Sequence, residues 1–80
     1  MVIKNINEFH KAFNNAHKDL IKDPDVKQRL LTSHNRQKII DKLWLDTYNV
    51  KITRDFGWGN AKYATFESEQ HYMLFLIKWL

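Results

Sequence analysis

Apolar residues return at every third or fourth position from Ile6 to Leu20, and Ile6, Phe9, Phe13, Ala16 and Leu20 fall on one stripe. That spacing predicts an amphipathic helix over about residues 6–22, with Asn5 as its N-cap. Lys4, Lys11, Lys18 and Lys22 gather on the opposite face. Asp23-Pro24 ends this helix and starts the next, because proline cannot donate a backbone hydrogen bond and suits the first helical position, where Asp23 can cap. Val26, Leu30 and Leu31 are the expected core contacts of that second helix. Residues 32–38 carry no apolar side chain, which predicts a turn; a single unbroken helix over 24–48 is the alternative. Ile39, Ile40, Leu43, Trp44 and Tyr48 then mark a third helix over about residues 35–48.

At Asn49 the period changes from about 3.6 to 2. Val50 and Ile52 alternate with Lys51 and Thr53, and Tyr63 and Phe66 stand in a second strand-like run, with Gly57 and Gly59 in the turn between. This predicts an antiparallel hairpin. Ser68 caps a last helix with Glu69 in its first turn. From Tyr72 to Leu80 that helix is apolar on nearly every side, which predicts burial, with Leu74, Phe75, Ile77 and Trp79 as the likeliest core. The expected fold class is α+β: two or three N-terminal helices, one two-stranded hairpin and one buried C-terminal helix, in the order α-α-α-β-β-α, as one domain over residues 1–80.

Composition sharpens this picture. Eighty residues bury only about 60% of their unfolded surface, and with no cysteine there is neither a disulfide nor a thiolate metal site to assist. Eleven aromatic residues must supply the stabilisation. That load is heavy for the length and predicts a surface ring or a self-association contact. The N-terminus lacks the apolar core of a signal peptide, and no run approaches the roughly 20 apolar residues of a membrane span. A cytoplasmic protein without membrane contact is expected. The net charge of +4 is uneven, since residues 1–54 hold eleven Lys/Arg against six Asp/Glu.

No catalytic constellation emerges. His10 and His17 lie about 10.5 Å apart along a helix axis, too far to share a metal ion. Neither Ser33 nor Ser68 sits in a nucleophile elbow, and no glycine-rich phosphate cradle is present. Asp55-Phe56-Gly57 spells the kinase magnesium triplet without the other kinase motifs that give it meaning. A non-enzymatic protein without cofactor or metal is expected. The turn rings Phe56 and Trp58, with Tyr63, are the candidate partner contacts; Lys4, Lys11, Lys18 and Lys22 are the candidate anion or nucleic-acid contacts. A protein partner or self-association is favoured, and nucleic acid is the alternative.

The run from Lys62 to Glu69 resembles the third strand and following helix of RNA-recognition motifs, with Tyr63 and Phe66 in register over about twenty residues. That resemblance implies a base-stacking role for Tyr63. In size and composition the chain also resembles the small accessory proteins that bacteriophages encode.

Overall fold

A computed structural model of the chain describes residues 1–55 and 60–80. Its elements are β1 (Val2–Asn5), a 3-10 turn (Ile6–Phe9), α1 (His10–Ile21), α2 (Pro24–Thr32), α3 (Arg36–Tyr48), β2 (Lys51–Arg54), β3 (Ala61–Phe66) and α4 (Glu69–Trp79). The class is α+β. The expected order lacks one element, β1, which pairs with β3 and makes the sheet three-stranded.

The helix boundaries follow their caps. The Asn5 Oδ1 accepts from the Asn7 amide (2.9 Å), Asp23 from Asp25 (2.9 Å) and Ser68 from His71 (3.1 Å). Each satisfies a backbone donor that the first helical turn cannot. The second and third helices are separate, as the polar stretch predicts. Here Ser33 Oγ accepts from the Asn35 amide and Asn35 caps α3. At the far end of α3, Asn49 takes the left-handed conformation (φ 56°); its N–H donates to the Leu45 carbonyl (3.0 Å) and the Val50 N–H to the Trp44 carbonyl (3.4 Å). Asparagine tolerates this region better than most residues.

The sheet order is β1-β3-β2, with both outer strands antiparallel to β3. Because directly paired residues share a face, the register divides the side chains. Val2, Lys4, Ile52, Ala64 and Phe66 point one way; Ile3, Asn5, Lys51, Thr53, Tyr63 and Thr65 point the other. The first set meets the core, where Ile52, Ala64 and Phe66 are buried.

That core is largely aromatic. Phe66 meets Phe9, Tyr72 and Phe75 at centroid distances of 5.8, 5.0 and 5.5 Å. Trp44, fully buried, stacks on Phe13 at 4.8 Å and so joins α3 to α1. Tyr48 adds a second tie. Its hydroxyl donates to the Ala16 carbonyl (2.9 Å), and burial, helped by the Asp19 charge, pushes its phenol up to about 12. At the edge of the core Arg54 grips Asp41 through Nε and Nη2 at 2.8–3.1 Å, binding β2 to α3. The Arg54 side chain is only 10% exposed.

Two helices depart from expectation. No residue of α2 is buried: Val26 and Leu30 are half-buried and Leu31 is exposed. The short helix touches the body mainly through α1. In α4, Tyr72 and Phe75 are buried and Trp79 is half-buried, but Leu74 and Ile77 are exposed, together with Met73 and Leu80. The aromatic side of α4 faces in and the aliphatic side faces out. Among the described residues no element covers the second side.

Candidate functional site

The residues expected to make contacts do not form one site. Phe56 and Trp58 lie outside the described residues. Tyr63 stands on the outward face of the central strand, half-buried, with the Lys62 ammonium 5.6 Å from its ring centroid. Lys62 also faces Asp55 at 3.5 Å. Phe66, the other residue in register with RNA-recognition motifs, is fully buried and has no surface on which to stack a base.

The four lysines also separate. Lys4 belongs to β1 rather than to the first helix and points inward. Its ammonium leaves the core edge to bind Glu69 (3.1 Å) and lies 4.8 Å from the Tyr72 ring centroid. Lys22 pairs with Asp19 at 2.7 Å. Only Lys11 and Lys18 remain as exposed α1 cations without an ion pair among the described residues.

Two of the four histidines, His17 and His71, pack into the fold, whereas His10 and His34 are exposed. His71 accepts from the Glu67 amide at Nδ1 (3.2 Å), which leaves Nε2 to donate to the Tyr48 carbonyl (3.1 Å) and ties the start of α4 to the end of α3. His17 stacks on Phe13, and its buried Nδ1 has no hydrogen-bond partner. Burial, with the nearby Arg54 charge, holds its pKa below the ordinary 6.5. Among the described residues no three His, Cys, Asp or Glu side chains gather as a metal site.

What the structure does assemble is an outward apolar stripe on α4. Met73, Leu74, Ile77 and Leu80 are 52%, 57%, 75% and 68% exposed. Positions 73, 77 and 80 recur in the four-then-three rhythm of a helix seam, with Leu74 beside them. Fully burying one such side chain gains about 1.5–3 kcal/mol, so the four together leave roughly 4–8 kcal/mol of burial unrealised in the monomer. Scattered apolar residues are ordinary on a surface, whereas a contiguous stripe marks an interaction site. Tyr72, Phe75 and Trp79 mark one side of α4 in the sequence, but Leu76 also packs against the core, so the outward side is defined by the packing rather than by residue type.

Comparison with known proteins adds no assignment: no protein family, no curated protein and no solved structure matches the chain. No helix among the described residues is long and apolar enough to cross a membrane.

Proposed function

We propose that this chain is a non-enzymatic binding protein that works through protein–protein contact, by self-association across the outward face of α4. The observation that carries this reading is the stripe of Met73, Leu74, Ile77 and Leu80. Two copies meeting through it would together recover roughly 8–15 kcal/mol of apolar burial. Association costs of about 4–15 kcal/mol oppose that gain. The two ranges overlap, so the reading is of a concentration-dependent dimer rather than an obligate one. The same reading takes the protein to work in a reducing cytoplasm, supported by a chain without cysteine.

Sedimentation equilibrium from low micromolar to near-millimolar protein tests it. The expected result is a concentration-dependent monomer–dimer equilibrium that Leu74→Lys with Ile77→Lys abolishes while the circular dichroism spectrum is retained. A monomer across the whole range, or a dimer that the double variant leaves intact, overturns the reading.

A further inference from the structure

A second surface is independent of α4 and differs in chemistry. The end of α2 and the start of α3 form a corner at which the chain turns through residues 33–35. Around it stand Lys27, Arg29, Arg36, Lys38 and Lys42, all exposed. The one carboxylate between positions 26 and 42 is Asp41, and Arg54 holds it from β2. None of the five cations is ion-paired among the described residues. The other nearby acids, Asp23 at the N-cap of α2, Asp25 in its first turn and Asp46 in α3, lie one helical turn from Lys27, Arg29 and Lys42 on the side away from the turn, which leaves the turn side with Arg36 and Lys38. Positive charge is therefore concentrated where the helices meet.

The corner is also held in shape. Arg36 Nε donates to the Leu30 carbonyl (3.0 Å), fastening the first turn of α3 to the last turn of α2. Thr32 Oγ1 donates back to Gln28 (3.1 Å), Ser33 Oγ accepts from the Asn35 amide (3.1 Å), and Asn35 Oδ1 from the Lys38 amide (3.4 Å). Gln37 and Lys38 project from the first turn of α3 without cover, and Arg36, held at Nε, remains exposed beside them. Lys38 and Lys42 are four apart and share one face of that helix.

We infer that the α2–α3 corner is a contact surface for double-stranded nucleic acid. Exposed lysines and arginines answer the phosphate charge, and phosphate contacts fix orientation on a duplex. Two helices joined by a short turn present the second to a major groove, about 12 Å wide, which admits a helix. Arg36, Gln37 and Lys38 are donors and acceptors of the kind that read guanine and adenine edges there.

Fluorescence anisotropy of the full chain with a labelled mixed-sequence duplex DNA of about 20 base pairs, two helical turns, tests this inference. If four or five phosphates are engaged, affinity falls by roughly two to three orders of magnitude between about 50 and 200 mM salt. Lys38→Glu with Lys42→Glu is expected to weaken binding at least about tenfold and to flatten the salt slope by about one for each lysine removed. Lys11→Glu with Lys18→Glu makes the same change in net charge on α1 and is expected to shift affinity less than about threefold, as distant charges are screened. Lys38→Gln with Lys42→Gln repeats the test without charge reversal, should the glutamate variant fail to fold.

No binding at low salt overturns the inference, as do equal losses from the two glutamate variants. A single strand bound more tightly than the duplex, or anionic vesicles bound in its place, overturns it too. None of these results bears on self-association through α4, which the sedimentation experiment decides alone.

Discussion

Helix α4 has two apolar faces, and a pair of truncations distinguishes them. Phe75 is 6% exposed and meets Phe9, Trp44, Tyr48 and Phe66 at centroid distances of 5.5–6.0 Å. Ile77, two residues on, is 75% exposed. Phe75→Ala removes a ring from the centre of the cluster and opens a cavity, a change that costs about 3–5 kcal/mol. A domain of this length has roughly 4–12 kcal/mol of total stability, so that loss is a large part of the whole. Ile77→Ala forfeits only about a quarter of a burial worth 1.5–3 kcal/mol, less than about 1 kcal/mol, and alanine's better helix propensity offsets part of it. Urea unfolding followed by circular dichroism at low micromolar protein measures both. With a slope of about 1 kcal/mol/M, the first variant shifts the midpoint by several molar and the second by less than one. An Ile77→Ala loss above about 2 kcal/mol at a midpoint independent of protein concentration would show that the stripe is internal to the monomer. A Phe75→Ala loss below about 1 kcal/mol would show that the aromatic cluster is not the core.

Two further predictions concern charge. The lowered pKa of His17 means that the fold prefers its neutral form. Its contribution to stability is complete above the unfolded value of 6.5 and is lost as pH falls from there through the folded pKa. His17→Phe keeps a ring against Phe13 and is expected to show a smaller fall in urea midpoint from pH 8 to pH 5 than the parent; an equal fall refutes the assignment. Asp41→Ala deprives a largely buried Arg54 of its carboxylate and is expected to cost about 2–3 kcal/mol, somewhat below the range for a fully buried pair. Lys22→Ala breaks the exposed pair with Asp19 and should leave the melting temperature nearly unchanged, a contrast that thermal melts resolve.

The caps were legible in the sequence because they are local chemistry. Asn5, Asp23 and Ser68 each carry an oxygen two or three positions before the amide that it accepts from. The hairpin strands were legible because Ile52, Ala64 and Phe66 alternate with polar or half-exposed neighbours on a sheet with one buried face. β1 was not legible. In it Ile3 faces outward and Lys4 inward, the reverse of the usual alternation, and only the Glu69 carboxylate and the Tyr72 ring make the inward lysine tolerable. Both partners lie more than sixty residues away in the chain. The two surfaces to which functions are proposed escaped for related reasons. The α4 stripe depends on which side the core takes. The corner cations become a concentration only once Asp41 is drawn off by Arg54, a residue of another element.

The sheet order has a consequence for the nascent chain. The middle strand, β3, is the last to be synthesised, and its pairing with β1 joins positions 2 and 66. Until residues 61–66 are available, β1 and β2 have no strand to pair with, because each bonds only to β3. Pairing that spans most of the chain closes a long loop, and such contacts slow folding. The ladder can therefore close only once Phe66 is present, and the aromatic core only once Tyr72 and Phe75 of α4 have followed it.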